Sequence, residues 1–132
     1  MTDRKLIGAA QDVMANSYSP YSRFKVGAAI ECSDGTVYTG CNIENSAFGS
    51  TLCAESSALS AAVSAGKRTF RRIAIISEGN NYCFPCGSCR QLLLEFAPEL
   101  EVLSARADGR YVSYTLSSLL PMAFGKEHME NF

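Results

Sequence analysis

Arg72-Ile73-Ala74-Ile75-Ile76-Ser77 is a short run that is apolar at every central position rather than at alternate ones. Unbroken apolarity over so few residues is what a strand needs when both of its faces are covered. It predicts the central strand of a sheet lying between helices. Upstream, Cys53 to Ala65 is rich in Ala, Ser and Leu, with Leu59, Ala62 and Val63 available to a core face, and Gly66 suited to the left-handed position just past a helix. Downstream, Pro85 suits a first helical position and Pro98 bars continuation, so a helix is predicted from Pro85 to about Phe96.

Farther out, Leu6, Ala10, Val13 and Met14 recur at helical spacing, with Asp3 near the start, predicting an amphipathic helix that ends around Asn16. Pro20 makes Tyr18-Ser19-Pro20-Tyr21-Ser22 a loop. Two β-like runs, Val26 to Cys32 and Val37 to Asn42, flank Asp34-Gly35, a hairpin signal. Glu101 to Arg106 and Arg110 to Thr115 flank Asp108-Gly109 in the same way, and a short helix is expected around Ser117 to Leu120. The order predicts the α/β class: one domain over residues 1–132, a three-layer α/β/α arrangement with a mixed five-stranded sheet.

Composition narrows the function. The chain has 132 residues, 47% of them hydrophobic, and a formal net charge of -1. No apolar stretch approaches the ~20 residues of a membrane span. The N-terminus lacks the hydrophobic region of a secretory signal, so a cytoplasmic protein is expected. Basic residues are scattered, with Arg71-Arg72 read as a solvated strand entrance, which argues against a nucleic-acid partner. With no sign of export, the six cysteines point to metal or redox chemistry rather than disulfides. Cys32 and Cys41, in strands across the first hairpin, are expected to be free buried thiols, and the lone His128 a surface residue.

Three features stand together: Cys53-Ala54-Glu55 at one helix start, Pro85-Cys86-Gly87-Ser88-Cys89 at another, and the apolar strand between them. Residues three apart share a helix face, so Cys86 and Cys89 can reach one ion. Cys53 would supply a third sulfur. Zinc with three protein ligands keeps one position open, as catalytic rather than structural sites do. Helix N-termini favour thiolates through their unpaired N–H groups and dipoles. Glu55 lies two residues past Cys53, roughly 200° around an ideal helix, so it need not be a ligand. It reaches the site only if the first turn is distorted or the helix end faces the ion. Cys83-x-x-Cys86-x-x-Cys89 also admits a closed structural metal or an iron–sulfur site, although Leu93 stands where a ferredoxin-like run wants its next cysteine.

These motifs resemble the zinc nucleoside and nucleobase deaminases, whose signature is H/C-x-E followed by P-C-x-x-C. Tyr18 to Ala29, Gly40-Cys41-Asn42-Ile43-Glu44-Asn45, Cys89-Arg90-Gln91 and Leu119 to Gly125 are similar to the small cytidine deaminases, so the likeness covers nearly the whole chain. It implies hydrolytic deamination of cytidine and deoxycytidine in pyrimidine salvage, with Zn2+ on Cys53, Cys86 and Cys89 and with Glu55 carrying protons to N3 and the departing amine. It also places Phe24 against the base, Asn42 and Glu44 on a ribose hydroxyl, the Ala54 N–H on the base carbonyl and the Phe84 carbonyl on the leaving amine. A homotetramer with shared sites is implied, in which Phe48 and Phe124 approach a neighbour's ligand. Two alternatives share the chemistry. A polynucleotide-editing deaminase would need a basic channel that the sequence lacks. A deaminase of a modified cytosine nucleoside such as blasticidin S is the nearer competitor.

The chain departs from the family pattern at Phe84, where Ser or Thr is usual, at Phe48, often Tyr, and at Ser56, where relatives commonly carry Arg. Zinc with three thiolates is formally -1, and a nearby cation would offset that charge. Ser56→Arg is therefore expected to move the pH profile of kcat/KM toward acid; an unmoved profile would discard the charge argument.

Overall fold

A computed structural model describes residues 1–129. The elements are α1 (Asp3–Met14), β1 (Val26–Cys32), β2 (Val37–Cys41), α2 (Ala54–Ser64), β3 (Phe70–Ser77), α3 (Gly87–Leu94), β4 (Glu101–Ala105), β5 (Tyr111–Thr115) and α4 (Leu116–Leu119). The five strands form one sheet in the order β2-β1-β3-β4-β5. Only the β3–β4 pair is parallel, and α3 makes its crossover. The mixed five-stranded sheet expected from the sequence is thus observed.

The apolar run does sit at the centre with both faces covered. Ile73 and Ile75 pack with Ala28, Ile30, Ala58, Leu59 and Leu93 on the side of α2 and α3. Ala74 and Ile76 pack with Leu6, Ile7, Ala10, Ala29 and Leu103 on the side of α1. The period-two alternation of side chains divides one strand between two cores, so each face needs its own apolar residues. At the start of α1, Thr2 accepts the Lys5 N–H at 3.2 Å, a side-chain cap of the usual kind. At the end of α2, Gly66 takes φ 92, and the Lys67 N–H reaches back to the Ala62 carbonyl at 3.0 Å, closing the helix as expected.

Three readings need correction. The third helix starts at Gly87, not Pro85, and stops at Leu94, because Cys86 is extended (φ -66, ψ 164) and serves as its N-cap. Cys41 is half-buried, whereas Cys32 is buried as expected. Of the basic pair, only Arg71 is a solvated entrance. Arg72 lies opposite Glu31 in the β1–β3 register, and its Nε meets a Glu31 carboxylate that is 1% exposed at 2.7 Å. Its Nη1 meets Asp3 at 2.5 Å, joining the start of α1 to the sheet. A buried carboxylate without that partner would be costly, and adjacency in sequence could not reveal a pairing set by strand register.

Close approach fixes one glycine. A Cβ on Gly40 in β2 would stand 2.4 Å from the Ala58 N and 2.6 Å from the Ser57 Cβ of α2. Neither can yield without moving the helix. Gly40→Ala is expected to cost about 3 kcal/mol. Gly8→Ala, mid-helix in α1 with nothing within 4 Å, should instead gain about 0.5–1 kcal/mol. Urea unfolding of the two variants measures the contrast.

Candidate active site

The helices α2 and α3 lie on one face of the sheet, and their N-termini meet. Cys53 is the N-cap of α2 (φ -75, ψ 155) and Cys86 the N-cap of α3. Their sulfurs are 3.7 Å apart. Cys89 follows in the first turn of α3 and Glu55 in that of α2. One donor atom from each of Cys53, Glu55, Cys86 and Cys89 lies within 4.8 Å of all the others.

Cap geometry explains why Glu55 joins the sulfurs. A cap residue has non-helical dihedrals, so the rotation between Cys53 and Glu55 is not that of an ideal helix. Both side chains then face the end of α2. The same applies to Cys86 and Cys89: their proximity comes from a cap residue and a first-turn residue, rather than from two positions on one helical stripe. Cys83 lies outside the four-group cluster.

Burial dominates the electrostatics. It pushes the Cys53 thiol up to about 11, helped by the Cys86 thiol. The Cys89 thiol is driven up strongly, again by burial and then by the Glu55 charge. At Cys86 burial acts against the thiolate, but the Cys89 backbone N–H and the Cys89 and Cys53 thiols outweigh it and hold its pKa below the ordinary value. Glu55 is 5% exposed, and burial raises its carboxyl against the opposing pull of nearby hydrogen bonds. Three sulfurs with one facing carboxylate suit a thiophilic divalent ion, and a bound cation reverses these proton affinities. Ser56 does not contribute: its Oγ donates to the Cys53 carbonyl at 2.8 Å and so turns back on the helix.

A cavity of about 240 Å³ opens over the cluster, and it brings together Phe24, Asn42, Cys53, Ala54, Glu55, Phe84 and Cys86. Glu44 lies beside it in an adjoining recess with Phe48, and Thr51 lines both. Phe48 is 79% and Phe124 57% exposed; Phe124 does not line this cavity and stacks on His128, with ring centroids 5.3 Å apart.

Several contributors were not picked out as site residues from the sequence. Cys83 lines the cavity, its thiol pushed up to about 11 by burial and by Glu55. Arg90 donates from Nε to the Pro85 carbonyl at 2.8 Å and from Nη1 to the Leu119 carbonyl at 2.7 Å, which fixes the approach to Cys86. Ser17 and Ser22 hydrogen-bond to Asn42 and Glu44. Serines in a proline loop carry no signal for such contacts, which depend on the loop folding against β2. Val26 and Leu52 add apolar walls.

The bonding of Asn42 and Glu44 is nearly saturated. Asn42 Oδ1 accepts the Val26 N–H at 2.9 Å and the Ser17 hydroxyl, while its Nδ2 donates to the Phe24 carbonyl at 2.8 Å. One amide hydrogen remains. Glu44 Oε1 accepts the Tyr21 and Ser22 N–H groups at 2.9 and 3.1 Å, and Oε2 accepts the Ser22 hydroxyl. These bonds, led by the Ser22 hydroxyl, hold its carboxyl below the usual range. One of about four acceptor positions is left. Backbone bonds between Tyr18 and the flanking pair, Tyr18 N–H to Asn42 O and Glu44 N–H to Tyr18 O, keep this segment extended, so Asn42 and Glu44 project to one side.

Residues 1–104 match the family model described as the cytidine and deoxycytidylate deaminase zinc-binding region. Cytidine deaminase from Sporosarcina psychrophila is 42% identical over 130 residues, covering 98% of this chain and 96% of its own. The crystal structure of cytidine deaminase from Burkholderia pseudomallei superposes with a TM-score of 0.91 at 43% identity, covering 94% of this chain and 100% of that one. Blasticidin-S deaminase from Bacillus cereus is more remote, at 29% identity over 130 residues, covering 92% and 91% of the two chains. The likeness in sequence and backbone spans both helix starts and the strand between them, and the chain belongs to the zinc-binding cytidine and deoxycytidylate deaminase family.

Proposed function

We propose that this chain hydrolyses the exocyclic amine of cytidine and deoxycytidine, giving uridine or deoxyuridine and ammonia, with Zn2+ held by Cys53, Cys86 and Cys89 and with Glu55 as the catalytic proton carrier. The observation that carries this reading is the convergence of those four groups within 4.8 Å at the floor of a cavity lined by Phe24 and Phe84. When bound, zinc supplies a hydroxide nucleophile at neutral pH by acidifying water. Glu55 takes one proton of the attacking water and delivers it to N3, then takes the proton of the hydroxyl now on C4 and passes it to the amine at N4, so that the C4–N4 bond breaks, ammonia leaves and C4 keeps its oxygen as a carbonyl. Burial raises the Glu55 carboxyl in the metal-free protein, and a bound cation pulls the other way, so the two opposing influences set the balance between accepting and donating.

The remaining groups orient the nucleoside. The Ala54 N–H, at the first position of α2, donates to the base carbonyl. Such amides have no partner within their own helix. The Phe84 carbonyl accepts from the leaving amine, and Phe24 covers the base. A sugar hydroxyl is both donor and acceptor, and Asn42 and Glu44 retain one of each complement. The hydroxyl is one that ribose and deoxyribose share. A substrate lacking it would leave two polar groups unpaired. An ordinary sugar fits this pair better than a modified nucleoside such as blasticidin S.

The exposure of Phe48 and Phe124 fits a homotetramer in which neighbours close each site. A role in pyrimidine salvage in the cytoplasm, without nucleic-acid partners, accords with the scattered charge and the nucleoside-sized cavity. Among the described residues no helix is long and apolar enough to cross a membrane.

Glu55→Gln is expected to lower kcat by about 10³-fold or more while leaving zinc content unchanged. An ultraviolet assay over cytidine, deoxycytidine, cytosine, CMP and blasticidin S, with zinc measured on the same sample, tests both halves. Near-wild-type turnover by Glu55→Gln, or efficient turnover of blasticidin S alone, would defeat the proposal. A further consequence concerns metal uptake. Cys53 and Cys89 are protonated at pH 7 in the metal-free protein, and zinc binds only thiolates. Loading at that pH should release roughly two or more protons per ion, with affinity rising as pH rises. Release of under about one proton, read with an indicator in weak buffer, would count against ligation by these thiols.

A further inference from the structure

The turn from Ser22 to Phe24 is bound at both ends to the pair expected to hold the sugar. The Ser22 hydroxyl donates to Glu44 Oε2 and accepts the Phe24 backbone N–H at 3.1 Å. The Phe24 carbonyl accepts from Asn42 at 2.8 Å. Arg23 between them has φ 60, the left-handed region that a residue with a Cβ enters only under constraint. Its own N–H is held by the Ser19 carbonyl at 2.9 Å. A strained residue whose neighbours are both tied to Asn42 or Glu44 marks a turn fixed by its surroundings rather than by its own preference.

We propose that Ser22 is a positioning residue for the deamination: its hydroxyl joins the Glu44 carboxylate to the Phe24 backbone, so that the sugar-facing group and the base-facing ring keep one separation. This rests on the reading of Glu44 and Phe24 given above. A hydroxyl can serve both partners at once because it donates once and accepts as well. Without it Glu44 loses one of its three bonds and the Phe24 N–H loses its acceptor, leaving the left-handed Arg23 held by its own N–H to Ser19, the Ser22 N–H to Glu44 and the Phe24 carbonyl to Asn42. Carboxylate and ring would then lose their one direct link, and their separation would be held only through the backbone and Asn42. The loss falls on nucleoside binding, because neither group touches the atoms that change bonding.

The test compares deoxycytidine with 2′,3′-dideoxycytidine, which differ by one hydroxyl, in the wild type and in Ser22→Ala, Ser22→Thr and Glu44→Gln, with zinc content and Tm measured on each sample. Ser22→Ala should raise the KM for deoxycytidine about tenfold, leave kcat within about twofold, and collapse the preference for deoxycytidine. Ser22→Thr, which keeps the hydroxyl, should restore all three. If Ser22→Ala keeps the wild-type preference while Glu44→Gln loses it, the role of Ser22 is overturned and the sugar reading survives. If Glu44→Gln also keeps it, the sugar reading itself has failed. A fall in kcat with KM unchanged likewise overturns the proposal. Should Ser22→Ala not fold, Ser22→Cys, with a weaker donor in the same place, should show the same rise in KM, and an unchanged KM there overturns it.

Discussion

The molecule depends on two helix N-termini being brought side by side. Neither Cys53 nor Cys86 is in regular helix, and each caps one. The caps meet because α2 and α3 pack on the same face of β3, the strand that joins them. Apolar packing of Ala58, Leu59 and Leu93 against Ile73 and Ile75 thus sets the separation of sulfurs that lie beyond the packed region. Burying those side chains contributes on the order of 2 kcal/mol each. That stability holds together polar groups which, without an ion, are partly opposed: burial and the Glu55 charge disfavour thiolates at Cys53 and Cys89, while the neighbouring thiols favour one at Cys86.

Seen this way, the chain divides its labour by position. The sheet and its helices bring the cysteines and Glu55 together, while the loop between α1 and β1 carries Phe24 and packs against Asn42 and Glu44, the groups proposed to meet the nucleoside. Its attachment runs through side chains, since Asn42 and Glu44 bind that loop's backbone and hydroxyls as extensively as they could bind a ligand. Polar groups that are largely satisfied internally lose little freedom when a sugar arrives. Preorganisation of this kind raises affinity by reducing what must be ordered on binding.

Much of this was legible in the sequence. Elements signalled by periodicity or turn chemistry were placed to within one or two residues: the strand at Ile73–Ile76, the two Asp-Gly hairpins and the Gly66 stop. The metal cluster was legible because C-x-E and P-C-x-x-C encode it locally. Tertiary pairings were not. Arg72 looked like a surface residue because its partner, Glu31, arrives from another strand, and Ser22 was read only as part of a proline loop because its hydrogen bond goes to a carboxylate distant in sequence. Pro85 misled about the start of α3: its fixed φ suits the first helical turn, but the extended Cys86 after it has to aim a sulfur at Cys53. Functional geometry overrode a local preference there.

The two faces of the sheet differ in how much room they have for change. Toward α1 the strands present Ala29, Ala74 and Ala105 beside Ile76 and Leu103, and a Cβ on Gly27 would fall 2.0 Å from the Ala10 carbonyl of that helix. At Gly27 there is no space to grow, so a larger residue at that contact would force the helix off the sheet. The opposite layer has a contact of the same kind at Gly40, against Ala58 of α2, but around β3 it holds Ile, Leu and Phe side chains that can exchange volume among neighbours. Variation accumulated over descent should therefore concentrate among those larger side chains and spare the two close seams, Gly27 under α1 and Gly40 under α2.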